Sequence, residues 1–288
     1  MIVDERISGY LRALDPEEPE YLIKLEERAV REEVPIIRKD AQALLRFLLR
    51  MRRPMRLLEV GTAVGYSCMY MSEYMPEGAL IATIEKVPMR LRPAKENLRN
   101  APHAERIALL AGDAAEVLAK LADGKVPAKR GGWFSEEPEA DSEEGAEGRP
   151  FPENPDGQEP AAACGMSGDF SGKPAGLQEI YLPAAERSAW LGQSFSEPYD
   201  FIFLDAAKGQ YMKFLPYLLR LLRPDGIFVT DNVLQEGSIA DSKFTILRRD
   251  RTIHKRMREY LYELTHRADL NTAVLPVGDG MAVTTFRS

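Results

Sequence analysis

Five short apolar segments, separated along the chain by stretches that include helix-like segments, constrain the fold more than any other feature. Each one is followed, directly or after one residue, by a glycine or an acidic residue: Arg56–Val60, Ala79–Ile84, Ile107–Leu110, Tyr199–Leu204 and Gly226–Thr230. Strands that alternate with helices indicate parallel βαβ units, in which helices cover both faces of the sheet. The sequence therefore predicts an α/β fold.

The two ends of the chain do not follow this repeat. Apolar residues at helical spacing predict helices over Pro19–Glu33 and Ile36–Met51. Pro35 separates the two, because a residue before proline avoids the α region. Near the C-terminus, Asn271–Pro276 and Met281–Phe286 flank a glycine-containing turn, which predicts a β-hairpin. The expected architecture is a parallel sheet with N-terminal helices and a C-terminal antiparallel hairpin.

Residues 123–198 differ in composition from the rest of the chain. They contain 11 glycines, 9 prolines, 15 acidic and 6 basic residues. The whole chain carries a charge of −7 and this stretch carries −9, so the other 212 residues carry +2. Such a segment buries too little apolar surface to offset its conformational entropy. We therefore predict a single domain formed by residues 1–122 and 199–288, interrupted by a mostly disordered acidic insertion at 123–198.

Composition limits the class and location of the protein. Hydrophobic residues make up 44% and charged residues 29% of the chain, as in ordinary globular proteins. No apolar run approaches the roughly 18 residues of a membrane span, and the N-terminus lacks the apolar stretch of a signal peptide. Two cysteines, Cys68 and Cys164, are too few for a disulfide framework or a Cys-rich metal site. We expect a cytoplasmic protein with no membrane contact.

Carboxylates follow or end several predicted strands, and ligands of open α/β sheets bind beyond the carboxyl ends of the strands. The first strand ends in Glu59-Val60-Gly61, where glycine allows a tight turn, but the dinucleotide fingerprint fails because Ala63 replaces its second glycine. Glu85 ends the next strand, where a carboxylate accepts hydrogen bonds from ribose hydroxyls. These positions favour an adenosine cofactor without a diphosphate, which is S-adenosylmethionine. Asp113 would contact its adenine and Ser67 its methionine portion.

The later strands suggest a second function for this edge of the sheet. Asp205 and Asp231-Asn232 end two neighbouring predicted strands and together offer two carboxylates and an amide. These hard oxygen ligands suit Mg²⁺ or another divalent cation rather than zinc. Lys208, three residues beyond Asp205, is a candidate base toward a hydroxyl group. The alternatives are a helix cap at Asp231, a solvated strand end at Asp205 and a surface lysine at 208.

Three segments resemble the metal-dependent O-methyltransferases, the family of the catechol and caffeoyl-CoA enzymes: LLEVGTAVGYS (57–67), YDFIFLDAAKGQY (199–211) and TDNVLQEG (230–237). Val34-Pro35-Ile36 and the tail TAVLPVGDGMAV (272–283) resemble one bacterial branch, the tRNA 5-hydroxyuridine methyltransferases. The resemblance covers about 1–122 and 199–288. It implies a class I S-adenosylmethionine-dependent methyltransferase (Rossmann-like) fold with a mostly parallel seven-stranded sheet, and a homodimer.

The resemblance also implies roles for individual residues. Positions that match cofactor contacts in the family are Ile37, Ser67, Glu85, Asp113 and Asp205, and those that match its metal ligands are Asp205, Asp231 and Asn232. Lys208 matches the lysine that acts as base in the catechol enzymes. The implied reaction transfers a methyl group from S-adenosylmethionine to the 5-oxygen of 5-hydroxyuridine at the wobble position of a tRNA anticodon, with Mg²⁺ as Lewis acid.

A tRNA substrate requires positive charge near the cleft. Six basic residues and one acidic residue occupy the runs Arg248–Arg251 and Lys255–Arg258, so Arg248, Arg249, Arg251 and Lys255 are candidate RNA contacts. The simpler alternative is a solvated basic helix face. Two other functions remain open: an O-methyltransferase that acts on a small catechol-like or caffeoyl-CoA-like molecule, and a non-catalytic regulator that binds S-adenosylmethionine or RNA.

Overall fold

The structure, a computed structural model, describes residues 3–126, 134–135, 177–242 and 244–287. Its helices are α1 (Glu5–Ala13), α2 (Glu20–Arg31), α3 (Lys39–Arg52), α4 (Tyr66–Tyr74), α5 (Pro88–Arg99), α6 (Ala114–Ala122), α7 (Tyr211–Leu221) and α8 (Arg251–His266). Its strands are β1 (Arg56–Val60), β2 (Leu80–Glu85), β3 (Ile107–Gly112), β4 (Phe134–Ser135), β5 (Leu177–Tyr181), β6 (Tyr199–Leu204), β7 (Leu222–Thr230), β8 (Leu270–Leu275) and β9 (Met281–Phe286).

Within the described residues the strands form one mixed sheet in the order β4-β5-β3-β2-β1-β6-β7-β9-β8. The five central strands, β3-β2-β1-β6-β7, run parallel to one another. The C-terminal strands form the predicted hairpin, and β9 pairs antiparallel to β7. The predicted α/β class and the closing hairpin are therefore confirmed.

Alternating side chains distribute the core over both faces of the sheet. On β6, Phe201 and Phe203 pack with α2–α5 on one face, whereas Ile202 and Leu204 pack with α6–α8 on the other. Both faces of the parallel strands are thus covered, which explains their near-continuous apolar sequences. None of the helices in the described ranges is long and apolar enough to cross a membrane.

The structure differs from the sequence prediction at the end of the proposed insertion. Residues from Leu177 onward belong to the domain: β5 pairs antiparallel to β3, and the Trp190 indole Nε1 donates to the carbonyl oxygens of Ile81 and Arg106. Trp190 also stacks on Phe195, with 4.4 Å between ring centroids. The composition of the 76-residue stretch hid these apolar residues behind its glycines and prolines.

This difference also changes the strand count. The structure has nine strands in its described ranges rather than seven, because β5 and the two-residue β4 lie within the predicted insertion. Apart from β4, residues 127–176 of that insertion lie outside the described part of the chain, so the prediction of disorder concerns residues that the structure does not describe.

Candidate active site

A cleft of about 970 Å³ opens at the carboxyl ends of the central strands. It is lined by nine of the ten residues predicted to bind the cofactor or a metal or to act in catalysis: Ile37, Gly61, Ser67, Glu85, Asp113, Asp205, Lys208, Asp231 and Asn232. Most of these residues lie at or just beyond strand ends, which the parallel sheet places at one edge, whereas Ile37 precedes α3 and Ser67 lies in α4.

The turn after β1 brings two strand ends into close contact. Gly61 has a φ of +107°, and its amide donates to the Ile84 carbonyl at 3.0 Å. The Asp205 amide donates to the Val60 carbonyl at 2.9 Å, so the chain beyond β6 passes directly over the turn. A β-carbon at position 61 would lie 1.8 Å from the Asp205 carbonyl oxygen. Only glycine fits this turn, for both dihedral and steric reasons.

The Glu85 carboxylate is fixed at the end of β2 by three main-chain amides. Its Oε2 accepts from Ala63 at 2.9 Å, and its Oε1 accepts from Lys86 and Val87, each at 2.9 Å. The side chain is buried and lines the cleft. The lone pairs that these amides leave free give it a defined direction in which to accept further hydrogen bonds.

Three further residues that were predicted to contact the cofactor also line the cleft. Asp113 caps α6, where its Oδ1 accepts from the Ala115 amide at 3.0 Å, and it is half-exposed beside Lys86. Ser67 lies in the first turn of α4, a helix whose N-cap residue, Gly65, supplies no side-chain cap. Uncapped amides at a helix N-terminus favour a negatively charged group. Ile37 forms a buried apolar part of the wall.

Glu59, which the strand-end pattern assigned to cofactor binding, does not line the cleft. It is fully buried beneath the cleft, where its Oε2 accepts from the Thr83 hydroxyl, which in turn contacts the Thr62 hydroxyl at 2.6 Å. Burial raises the pKa of Glu59 to about 8, while the neighbouring hydroxyls of Ser67 and Thr83 lower it. Glu59 therefore supports the cleft floor through other side chains.

The candidate metal ligands form one small cluster. The Asn232 side-chain amide donates to Oδ1 of Asp205 at 3.1 Å, and Oδ1 of Asp231 accepts from the Asn232 main-chain amide at 2.6 Å. Asn232 has a φ of +62°, which turns its side chain back toward β6. Burial raises the pKa of Asp205, and burial followed by the charge of Asp205 raises the pKa of Asp231.

This cluster fits a hard divalent cation. The carboxylates of Asp231, which is buried, and of Asp205, which is partly buried, destabilise each other, and a cation between them would relieve that repulsion. The Asn232 amide oxygen adds a neutral oxygen ligand, and water and substrate would complete an octahedron. Within the described residues no three His, Cys, Asp or Glu side chains lie close enough to hold a metal ion together. The third oxygen ligand of this candidate site would therefore come from the Asn232 amide.

Lys208 begins a short 3₁₀ turn, Lys208–Gln210, just beyond Asp205. The side chain is partly exposed and lines the cleft, and its charge lowers the pKa of Asp205. Lys208 and the carboxylate pair thus line the same cleft.

Sequence reasoning missed a second charged cluster in the cleft wall. Arg38, just before α3, forms salt bridges with Glu236 at 2.7 Å and with Asp279 at 2.9 Å. Main-chain hydrogen bonds join the hairpin turn to the residues that follow Asn232. The Val233 amide donates to the Gly280 carbonyl at 2.9 Å, and the Leu234 amide donates to the Asp279 carbonyl at 2.9 Å. The GDG sequence predicts only a turn, and no local pattern indicates these long-range partners.

The basic run lies outside the cleft lining. Arg248, Arg249, Arg251 and Lys255 are exposed at the start of α8 and in the segment that precedes it. Arg249 lies 3.6 Å from Asp250 and Lys255 lies 3.6 Å from Glu259, so part of their charge is balanced locally. The run is a surface feature next to the site rather than a part of it.

The fold is the α/β fold of the class I S-adenosylmethionine-dependent methyltransferases, and sequence comparison identifies the family. The profile of the O-methyltransferase family matches residues 12–130 and 178–286, so the chain belongs to that family. The unmatched stretch between these ranges agrees with a domain that resumes near β5 rather than at residue 199.

Curated relatives match in part. A catechol O-methyltransferase of Niastella koreensis is 22% identical over 201 residues, which are 70% of this chain and 59% of the relative. Tricin synthase 2 of Oryza sativa is 33% identical over 86 residues, 30% of each protein. The chain thus spans less than two thirds of the length of these relatives.

Solved structures share the fold. The O-methyltransferase TomG from Streptomyces achromogenes, solved in complex with SAM, superposes with a TM-score of 0.64 over all of both chains at 20% identity. An O-methyltransferase from Bacillus cereus in complex with SAH gives a TM-score of 0.65 at 16% identity, with 98% of this chain and 97% of that one covered.

Proposed function

We propose that this protein is an S-adenosylmethionine-dependent, Mg²⁺-dependent O-methyltransferase that converts 5-hydroxyuridine to 5-methoxyuridine at the wobble position of tRNA. The observation that carries the reaction class is the juxtaposition, in one cleft, of the fixed Glu85 carboxylate with the cluster of Asp205, Asp231 and Asn232. The first suits an adenosine cofactor, and the second suits a cation that holds the acceptor.

The cofactor would bind along the ends of β1–β3. Glu85 would accept hydrogen bonds from both ribose hydroxyls, Asp113 would accept from the adenine amino group, and Ser67 would donate to the methionine carboxylate. The uncapped N-terminus of α4 would add its positive potential beside that carboxylate. Gly61 lets the cofactor approach the main chain, and Ile37 covers its apolar surface.

The acceptor would bind at the ends of β6 and β7. Asp205, Asp231 and Asn232 would hold Mg²⁺, which, when bound, supplies Lewis-acid activation of the acceptor hydroxyl. Lys208, as the neutral amine, would take up the hydroxyl proton and become an ammonium group. The acceptor oxygen then forms a bond with the methyl carbon as the carbon–sulfur bond breaks, leaving S-adenosylhomocysteine. Much of the rate enhancement would come from the alignment of two bound reactants.

Two features support a tRNA acceptor. Val34-Pro35-Ile36 and the tail 272–283 resemble the corresponding segments of tRNA enzymes. The exposed basic residues Arg248, Arg249, Arg251 and Lys255 also lie close in sequence to Arg256, whose guanidinium contacts the turn that carries Lys208. An anticodon loop would place phosphates on such a surface while one base enters the cleft.

A small-molecule acceptor is the second candidate. The relatives with printed activities are named for catechol, tricin and caffeoyl-CoA chemistry, and the same cluster would accept two adjacent oxygens of a catechol. The cleft chemistry would be identical, and only the acceptor would differ.

Nucleoside mass spectrometry distinguishes the two acceptors. The protein is incubated with S-adenosylmethionine, Mg²⁺ and tRNA that contains 5-hydroxyuridine, and in parallel with catechol. A methyl mass gain on that nucleoside, absent from unhydroxylated tRNA, supports the tRNA proposal. Methylation of catechol with no change in the tRNA would instead support the small-molecule acceptor. A cytoplasmic location and a homodimer remain predictions from the sequence and the family.

A further inference from the structure

Helix α8 contacts both segments that carry the candidate chemistry. Arg256 and Tyr260 are one helical turn apart and so project from neighbouring positions on the same side of the helix. The Arg256 Nη1 donates to the Gly209 carbonyl at 3.1 Å. The buried Tyr260 hydroxyl contacts the Thr230 hydroxyl at 2.7 Å, and its ring packs edge-on against Tyr211, with centroids 5.4 Å apart.

These partners directly adjoin site residues. Gly209 follows Lys208, and Thr230 precedes Asp231. The Tyr211 hydroxyl in turn donates to the Asp231 carbonyl at 3.4 Å, so both tyrosine hydroxyls contact the end of β7. The Tyr260 contacts are buried and restrain the end of β7, directly before Asp231. The Arg256 contact is exposed and holds the turn of Lys208.

Few bonds hold the turn internally. It is a single 3₁₀ turn closed by two main-chain bonds, from the Gln210 amide to the Ala207 carbonyl at 2.9 Å and from the Tyr211 amide to the Lys208 carbonyl. Short 3₁₀ turns have poor hydrogen-bond geometry, so a charge-assisted bond from outside restricts them considerably. The neighbouring basic side chains have other partners: Lys255 lies 3.6 Å from Glu259, and Arg258 donates to the Ile239 carbonyl at 3.3 Å.

We propose that Arg256 is a positioning residue for Lys208: its bond to the Gly209 carbonyl fixes the turn so that the lysine faces the acceptor end of the cleft. Within the basic run, Arg256 contacts the turn that carries Lys208, whereas Arg248, Arg249 and Arg251 lie on the exposed surface that precedes it. The catalytic consequence rests on the proposed function, whereas the restraint of the turn does not.

Hydrogen exchange tests the restraint without any substrate. Arg256→Gln removes the guanidinium at an exposed position, Arg256→Lys retains a donor, and Arg258→Gln is a matched control on the same helix. We expect Arg256→Gln to raise amide exchange at 208–211 at least about tenfold while β6 and Tm stay unchanged. Arg256→Lys should restore part of the protection, and Arg258→Gln should leave this segment as it is. Unaltered exchange at 208–211 in Arg256→Gln overturns the proposal.

Steady-state kinetics tests the consequence. At saturating acceptor, Arg256→Gln should lower kcat about tenfold with an unchanged KM for S-adenosylmethionine, because a displaced base slows the chemical step and leaves cofactor binding intact. Arg256→Lys should recover part of kcat. An unchanged kcat in Arg256→Gln overturns the positioning role. If the wild-type protein transfers no methyl group but the exchange result appears, the proposed function fails while the restraint of the turn stands.

Discussion

The carbonyl oxygen of Asp205 occupies the space that a side chain at Gly61 would need, since a β-carbon there would lie 1.8 Å from it. This contact joins the proposed cofactor end of the cleft to the metal end, because the same residue that closes on the glycine turn also offers its carboxylate to Asn232. The proposed cofactor end and the proposed metal end of the cleft thus share the main chain at Asp205.

The first prediction concerns this contact. Gly61→Ala should destabilise the fold by about 3 kcal/mol or more. Alanine is strained at positive φ, and its β-carbon would clash with the main chain of Asp205, which is itself hydrogen-bonded to Val60. Gly9→Ala is the matched control, since a β-carbon at Gly9 of α1 meets nothing within 4 Å. It should be neutral or stabilising by up to about 1 kcal/mol. Urea unfolding measures both, and equal effects would contradict the steric account.

The second prediction concerns the cofactor. Glu85→Ala should weaken S-adenosylmethionine binding roughly tenfold to a hundredfold, because it removes a fixed acceptor of charge-assisted hydrogen bonds. The exposed residue Glu77 provides the control Glu77→Ala, which should bind as the wild type does. Calorimetric titration measures the affinities, with Tm recorded because Glu85 also holds three main-chain amides. Wild-type affinity in a folded Glu85→Ala protein would exclude the ribose assignment.

The third prediction concerns pH. The folded state holds the Glu59 proton up to about pH 8, whereas the unfolded chain releases it near its ordinary pKa. Between these values the unfolded state binds fewer protons, so this group makes stability fall as pH rises, by at most about 1.4 kcal/mol per unit. Glu59→Gln stays neutral and lacks this slope.

The stability advantage of Glu59→Gln over the wild type should therefore grow from about pH 5 to pH 8 and then level off. Denaturant unfolding across this range measures it, and the exposed Glu96→Gln should show a constant difference from the wild type. Parallel curves for the wild type and Glu59→Gln would mean that Glu59 is ionised in the fold at neutral pH.

The fourth prediction concerns RNA. Reversing the charge of Arg248, Arg249 and Arg251 to Glu should weaken tRNA binding and reduce its salt dependence, with a log–log slope smaller by about 0.9 for each phosphate that the variant no longer neutralises. Reversal of three exposed basic residues of α1 and α2, Arg12, Lys24 and Arg31, should leave both unchanged. Equal effects of the two triple variants would indicate only a general charge effect.

Much of the fold and site could be predicted from local sequence. Parallel strands have apolar runs and place their ends at one edge, so Glu85, Asp205 and Asp231 could be assigned to a common cleft without any knowledge of helix packing. The turn at Gly61 was also predictable, because a glycine between a predicted strand and a predicted helix indicates a tight turn.

The rest of the fold and site could not be predicted, either because it depends on long-range contacts or because the average composition of a segment hid its structured part. Composition placed Trp190 in a disordered insertion, because the glycines and prolines before Leu177 dominated the count. Glu59 is the next-to-last residue of β1, and its side chain does not line the cleft, because it faces the side of the sheet opposite to Leu58 and Val60. Arg256 belongs to a basic run, and only its position in the fold brings it to Gly209.

The most direct measurement is the formation of S-adenosylhomocysteine by the purified protein with S-adenosylmethionine and either acceptor, with Mg²⁺ and with a chelator. The account predicts product with at least one acceptor, its loss on chelation, its recovery when Mg²⁺ is restored, and none from Asp205→Ala, whereas the exposed Asp241→Ala behaves as the wild type. No product with either acceptor, in a protein that still binds the cofactor, would contradict the assignment as an enzyme. Product that persists in chelator and in Asp205→Ala would contradict the metal site.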